Sequence, residues 1–500
     1  MMNDLSAEDT NNIISSFIFL KQKFAPNGEP GKVKARLVAG GHHQDKSLYP
    51  DTSSPTADIN HIFIEATIAA TKRDKIATLD IGAAYLNADM VDQVYMKLDS
   101  KLTSQLVRMY PEYQPYVTRD KKLIVKLEKA LYGCIQSALL WYKCLKQTLY
   151  EIGFHANPYD ECIFVRSSEN SNCVIIVYVD DLMIMSSCDA VIDEVVNHLK
   201  TKFEEITLNR GDTHSYLGME FQFRDGQVKI TMKGYIDKLL TEHHIDGASP
   251  TPASNDLFTI TDEPLLPLNE QKQLHSLVAQ LLYLSTRVRP DILLPVNFLS
   301  TRVNKFDSND KDKMTRVLRY LNNTKDLGLI LKCSDVEEIN VITSADASFG
   351  IHSDGKGQSG ISTSFGVGAV NSSTTKQKIV AKSSSEAELI ASSDGVSHLI
   401  KTNNYLQSRN LTVKRLTLLQ DNQSTQSVIK NGIKSAKRMR HLNIRYFFIK
   451  QYVEENQIKV EYIKTTDMVA DIFTKPLQGQ QFIRLRNKIL GLLPMSEESE

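Results

Sequence analysis

Apolar positions along this chain change period several times, and each change marks an element. Phe17 to Leu20 reads as a strand, Pro26-Asn27-Gly28 as a turn, and Lys32 to Val38 alternates charged and apolar residues as a strand does. Residues 58–73 predict a helix capped by Asp58, and Ile76 to Asp80 a short strand ending on a carboxylate. A further strand is predicted at 123–127. A helix is predicted over 137–152, where Ala138, Trp141, Tyr142, Leu145 and Leu149 fall on one face. Val174 to Met185 is a nearly unbroken apolar run interrupted by Asp180-Asp181, the pattern of a hairpin with acid at its tip. A helix at 189–204 and strands at 215–223 and 227–232 follow.

Residues 246–268 are rich in Pro, Ser, Thr and Asp and predict a boundary or mobile linker. Residues 270–322 read as mainly helical, with a break around Pro290 and Pro295. From Ile339 a new rhythm begins. Strands are predicted at 340–345, 359–367 and 376–381, then a helix at 385–400, a strand at 415–420, helices from 423 and at 441–455, a strand at 458–463 and a last helix. Strands first and helices afterwards suit an α/β unit of about 150 residues. The fold class is therefore multidomain, α+β followed by α/β, divided at 1–245, 246–338 and 339–490, with an acidic tail at 491–500.

Composition narrows this little. The length of 500 residues suggests roughly two to four domains. Lys plus Arg and Asp plus Glu both number 59, so the formal net charge is zero. That does not exclude a phosphate-backbone binder, which needs a basic surface only where the strand lies. Basic clusters occur at Lys32 to Arg36, Lys121 to Lys129 and Lys430 to Arg445. None of the six cysteines forms a C-x-x-C pair, so they read as reduced, buried thiols. The adjacent pairs His42-His43 and His243-His244 lack ligand spacing and are not read as zinc sites. No secretory signal is seen at the N-terminus and no run reaches about eighteen apolar residues, so a cytoplasmic or nuclear protein with no membrane span is expected.

A hairpin covered on both faces has no cheap place for two carboxylates, because an uncompensated buried charge either destabilises the fold or neutralises itself. An exposed turn is the commoner explanation of such a pair taken alone. Asp80, at another strand end, changes the picture: brought beside Asp180, it would hold two hard divalent ions on oxygen, Mg²⁺ being the natural choice and Mn²⁺ an alternative. Two such ions support in-line phosphoryl transfer.

The strings around these acids resemble Ty1/copia-type retrotransposon reverse transcriptases. Tyr178-Val179-Asp180-Asp181 is similar to the Y-x-D-D box, Lys34 to Ala39 to K-A-R-L-V-A, and Leu79 to Asn87 to the D-V-x-x-A-F/Y-L-N segment. Leu131-Tyr132-Gly133 with Gln136, then Trp141-Tyr142, resembles L-Y-G-x-x-Q followed by W-Y, and Tyr216-Leu217-Gly218 the F/Y-L-G element. The resemblance implies fingers, palm and thumb. Asp80, Asp180 and Asp181 would be the catalytic metal ligands. Lys34, Arg36, Tyr85 and Gln136 would hold the incoming dNTP, with Tyr85 excluding a 2′-hydroxyl, and Leu217 and Gly218 would grip the primer end. One segment departs: the family's Lys, Pro and Arg are here Ile135, Ala138 and Leu139.

In the last unit, Asp346, Glu388, Asp421 and Asp471 occur in the order, and on the kinds of element, that resemble RNase H. This implies a second two-metal site with water as nucleophile. Glu388 fits the family's A-E-L/Y string better than Glu386, and a capping box with Ser383 is the alternative for these glutamates. Arg438, Arg440, His441 and Arg445 resemble a K-H-I-x-x-R-Y segment that would contact hybrid phosphates. Leu281 to Arg289 with Asp291, and Arg316 to Leu321 with Thr324 to Asp326, resemble the family's thumb and connection strings. The implied partners are an RNA template, a DNA primer, an RNA–DNA hybrid and dNTPs. The implied setting is a virus-like particle in the cytoplasm, the nucleus, or both. With no capsid-like, protease-like or integrase-like segment read, a fragment or processed product of a larger polyprotein is expected. A copy that binds nucleic acid without polymerising, keeping at most RNase H activity, is the alternative that Ile135 and Leu139 leave open.

Overall fold

The computed structural model describes residues 12–24, 30–49, 51–168, 171–431, 440–455 and 457–494. Strands Ile14–Phe24 and Pro30–Ala39 pair antiparallel and join Tyr95–Leu98 and Leu123–Lys126 in a four-stranded sheet. Its small core includes Ile14, Ala39, Met96, Leu98 and Leu123.

The next sheet explains the apolar hairpin. Its order is Ile206–Arg210, Lys75–Ile81, Asp181–Ser186, Ser171–Tyr178, Asp160–Ser168, His155–Asn157, antiparallel throughout. Successive strand residues face opposite sides. Leu79, Ile175, Val177, Leu182 and Ile184 pack on helices Ser137–Glu151 and Asp189–Lys202, while Ile76, Ile176, Met183 and Met185 join the core that holds helix Ile59–Lys72. Both faces are covered, so both sets are apolar. Asp58 caps its helix as expected, accepting from the Asn60 N–H at 2.9 Å. Helix Ser100–Met109, capped by Asp99, has no counterpart in the elements that the apolar pattern predicts. Only Leu102 and Leu106 of its apolar residues lean on the core, so its pattern is thin.

Several expectations change. The strand predicted at 215–223 is two strands, Thr213–Tyr216 and Met219–Arg224, because Leu217 (φ 52°) and Gly218 (φ 74°) form a tight two-residue hairpin turn. Gln227–Thr231, Leu329–Cys333 and Gly366–Val367 complete that sheet. It therefore runs through the boundaries expected at 246 and 339. Residues 246–268 are not a mobile linker. Thr251 and Ala253 are buried, Thr251 bonds Gln478 and Arg316, and Gln478 also donates to the Ala253 carbonyl. Its small polar side chains serve as internal hydrogen-bond partners between segments far apart in sequence.

Helices Leu268–Ser285, Leu293–Ser300 and Ser308–Asn323 fill the middle of the chain. Pro290 falls at the break, and Pro295 sits in a first helical turn, where its missing N–H does no harm.

The C-terminal sheet has the order Asn371–Lys376, Gln358–Ser364, Ile339–Ser348, Val413–Gln420, Lys459–Tyr462, with the last two pairings parallel. The strand predicted at 376–381 is displaced to 371–376. Ile379 and Val380 are exposed, and the pairing uses Ser and Thr, which an apolar-pattern reading passes over. Helix Ser384–Ser408 packs on the sheet and also meets helix Ile59–Lys72. There Glu65 accepts from the Tyr405 hydroxyl (2.6 Å) and pairs with Arg409 (2.6 Å), and Tyr405 stacks on His61. Among the described residues no helix is long and apolar enough to cross a membrane.

Candidate active sites

Strand pairing brings the first group of acids to one end of the sheet, although among the described residues only the C-terminal triad closes three carboxylates to within 4.8 Å. Asp80 lies directly opposite Asp181 in the ladder, and Tyr178 pairs with Asp181, so Val179 and Asp180 form the two-residue tip of the hairpin. The Ile81 N–H donates to the Asp180 carbonyl at 3.0 Å. Burial pushes the Asp181 carboxyl up to about 6, and the charges of Asp180 and Asp80 add to the rise. Asp181 thus belongs to the cluster although its neighbour occupies the turn.

Aromatic groups stand beside these acids. The Tyr85 and Tyr132 rings lie 4.3 Å apart between centroids, and the Arg36 guanidinium is 5.7 Å from the Tyr132 ring centre. Burial and then the Asp180 charge hold both phenols above the ordinary tyrosine range, which places both near Asp180. Nothing in the spacing of Tyr132 itself marks it as part of a site. Lys34 lies in strand Pro30–Ala39, but its side chain is outside the described residues. Gln136 is buried, with its amide shared between Gln44 (3.1 Å) and Asp92 (3.2 Å), while Gln44 also accepts from the Ile135 N–H. It braces the turn that carries Tyr132. Leu139 is part of the core between the six-stranded sheet and its helices, so the position where the resembled strings carry Arg faces inward. Leu217 and Gly218 form their turn under the hydroxyl of Tyr283, which donates to the Leu217 carbonyl at 3.0 Å.

The second cluster draws on three elements. Asp346 lies on strand Ile339–Ser348, Glu388 on helix Ser384–Ser408, and Asp421 follows strand Val413–Gln420. One carboxylate oxygen from each lies within 4.8 Å of the others. Burial, with Asp346 and Asp421 adding to it, pushes Glu388 up to about 9. Three hard oxygen donors whose mutual repulsion Lys475 and Gln420 only partly offset fit a divalent cation of the Mg²⁺ kind. Glu386, two residues earlier, closes the start of the helix that Ser383 caps: its carboxylate accepts from the Lys382 N–H, and its own N–H donates to the Ser383 hydroxyl. One half of the expected capping box is thus present, the Ser383 hydroxyl on the Glu386 N–H, while Glu388 lies in the acidic triad.

Asp471 stands apart from that triad. It lies in the 3₁₀ turn Val469–Phe473 rather than on a helix, and pairs with the Lys475 ammonium at 2.7 Å. Lys475 also reaches Asp346 at 3.3 Å, and the Thr474 hydroxyl donates to Asp346. Burial pushes Asp471 up to about 7, Asp346 adding to it, with Lys475 opposing. Burial alone would lower Lys475, but Asp346 and Asp471 outweigh it and hold it above the lysine range. Arg445 donates to Asp394 (3.1 Å) on helix Ser384–Ser408. Arg440 and His441 lie where side chains are not described, and Arg438 is outside the described residues.

Residues 5–254 match the family described as "Reverse transcriptase (RNA-dependent DNA polymerase)", and the chain belongs to that family. Among curated proteins it is 29% identical over 481 residues to the "Retrovirus-related Pol polyprotein from transposon RE2" of Arabidopsis thaliana, covering 95% of this chain and 31% of that one. It is 28% identical over 503 residues to the "Truncated transposon Ty1-A Gag-Pol polyprotein" of Saccharomyces cerevisiae, covering 96% and 40% respectively. Its relatives are thus Ty1/copia-type Pol polyproteins, of whose length it spans 31% and 40% in these two cases. A foamy viral protease-reverse transcriptase solved with double-stranded DNA shares the fold, with a TM-score of 0.51 and 13% identity over 90% of this chain and 65% of that one.

Proposed function

We propose that this chain is an RNA- and DNA-directed DNA polymerase whose C-terminal unit is an RNase H-like domain that cleaves RNA in RNA–DNA hybrids. The observation that carries the polymerase reading is the juxtaposition of Asp80, Asp181 and the Asp180 tip, set beside Arg36, Tyr132 and Tyr85 in a reverse transcriptase fold.

In this reading the three aspartates hold two divalent ions, which when bound supply charge neutralisation at the reacting phosphate. The chain's own residues position the reactants. Arg36 offers a planar fork of donors to the triphosphate. Tyr85, braced by Tyr132, lies under the sugar, where a 2′-hydroxyl would collide. The turn of Leu217 and Gly218 seats the primer end so that its 3′-hydroxyl lies in line with the α-phosphate. In the C-terminal unit Asp346, Glu388 and Asp421 would hold the corresponding ions, with Asp471 and Lys475 setting the local charge.

Primer extension on an RNA template with Mg²⁺ tests the first activity. The wild type should extend and Asp180→Asn should lose at least about a hundredfold in rate; undiminished extension by that variant would sink the reading. Asp421→Asn should abolish hybrid cleavage while leaving extension intact. The alternative, nucleic-acid binding without synthesis, rests on Ile135 and Leu139 and predicts hybrid binding with no extension by the wild type.

A further inference from the structure

The hairpin that carries Asp180 turns through Val179, whose φ of 59° lies in the left-handed region. A β-branched residue is poorly suited to that region, and hairpin turns needing positive φ at their first central residue normally use glycine. Something outside the turn must hold it. Two bonds from other segments do so. The Ile81 N–H reaches the Asp180 carbonyl at 3.0 Å, and the indole N–H of Trp141 reaches the Val179 carbonyl at 2.7 Å. Trp141 is the only tryptophan of the chain, is 1% exposed on helix Ser137–Glu151, and is locked edge-on against Phe203.

We infer that Trp141 is a positioning residue for Asp180: its indole N–H pins the Val179 carbonyl and so holds the strained turn in the orientation that aims the Asp180 carboxylate at the site. The inference rests on the polymerase reading for its kinetic consequence, but the geometry is independent of it. Strain at Val179 favours rotation of the Val179–Asp180 peptide, and the indole opposes that rotation because a freed carbonyl would lose its partner in a partly buried place. A rotated peptide re-aims the carboxylate. A displacement of about 1 Å at a reacting centre is enough to lose on the order of a hundredfold in rate. Phenylalanine would fill most of the same volume but cannot donate, so donor and packing are separable.

The experiment uses the full chain with Trp141→Phe, Val179→Gly and both together. Trp141→Phe should slow single-turnover primer extension about ten- to a hundredfold with the KM for dNTP within about threefold, since the loss lies in aim rather than binding. Val179→Gly removes the strain, so the double variant should extend faster than Trp141→Phe alone. Rates in which the two substitutions simply multiply would overturn the proposal, as would a Trp141→Phe rate equal to wild type. Two further measurements do not depend on turnover. The single indole ¹H–¹⁵N signal of the wild type should be strongly protected from hydrogen exchange, and an unprotected indole overturns the proposal even where Trp141→Phe fails to fold. In an Asp421→Asn background, Mn²⁺ binding at the remaining site should weaken several-fold with Trp141→Phe, and unchanged binding counts against it. A wild type that does not extend primers would remove the polymerase reading, while indole protection and Mn²⁺ affinity would still decide the role of Trp141.

Discussion

In the proposed reading, single residues divide into those that would meet reactants and those that hold the first kind still. Asp180 was recognisable from its string, but its setting depends on Val179, Trp141 and Ile81, which come from three segments. Tyr85 shows the same dependence. In the fold it is half-buried, leans on Tyr132 and lies close enough to Asp180 to feel its charge. If Tyr85 excludes the 2′-hydroxyl by bulk, Tyr85→Val should raise incorporation of ribonucleotides relative to deoxyribonucleotides by about ten- to two-hundredfold, the range that one side-chain contact commands. Competition between dNTP and rNTP in primer extension measures this, and an unchanged ratio would return Tyr85 to the core. Lys475 is the residue least legible beforehand. Its pairing with Asp346 and Asp471 joins groups that lie 129 and 4 positions away in sequence.

At the scale of elements, short polar strings that resembled family signatures prove to be internal braces. Arg289 is fully buried and pairs bidentately with Asp291 at 2.9 and 2.7 Å, while also donating to Thr324. Tyr320 donates to the same carboxylate at 2.5 Å. The network ties the 3₁₀ turn Pro290–Ile292 to the end of helix Ser308–Asn323. Removing one partner leaves a buried charge uncompensated. Arg289→Ala should therefore destabilise the chain by about 3–5 kcal/mol, read from denaturant midpoints, and Arg289→Lys should recover only part of this because the planar fork is lost. A loss below about 1 kcal/mol would mean that the site relaxes or admits water. Most elements were legible because their apolar period was clean: the helices at 59–72, 137–151 and 189–202 and the acidic hairpin all fall within a few residues of expectation. The displaced strand at 371–376 and the helix at 100–109 were not, because Ser/Thr pairing and a thin apolar stripe leave little periodic signal.

At the scale of the molecule, the C-terminal unit does not hang from a linker. Glu65, Tyr405 and Arg409 form a buried cluster between helices Ile59–Lys72 and Ser384–Ser408, and residues 246–268 pack against Gln478. Whole-chain stability should also carry a signature of buried imidazoles. Burial holds His214, His352 and His398 below the usual value of 6.5. A base whose pKa is lowered on folding binds protons more readily in the unfolded chain. Its contribution is thus fully present above about 6.5 and is lost as pH falls below that value. The imidazoles by themselves should make Tm decline below about pH 6.5, against the opposite contribution of the raised Asp181, Glu388 and Asp471 carboxyls, which favours the folded chain as pH falls. His214→Gln, which keeps polar atoms near Thr78 and Gly211, should flatten part of that decline. A decline of identical slope in the variant would exclude His214 as a contributor.

The sequence by itself determined the family strings, the order of most elements and seven acidic candidates, because local period and residue type survive in one dimension. Only the tertiary structure decided which carboxylates meet. Strand register set Asp80 opposite Asp181, and three separate elements brought Asp346, Glu388 and Asp421 within 4.8 Å. It also gave Glu386 to the helix cap, left Asp471 to Lys475, and put a strained turn under Trp141. Such contacts depend on register and packing between distant segments, and no local pattern encodes them.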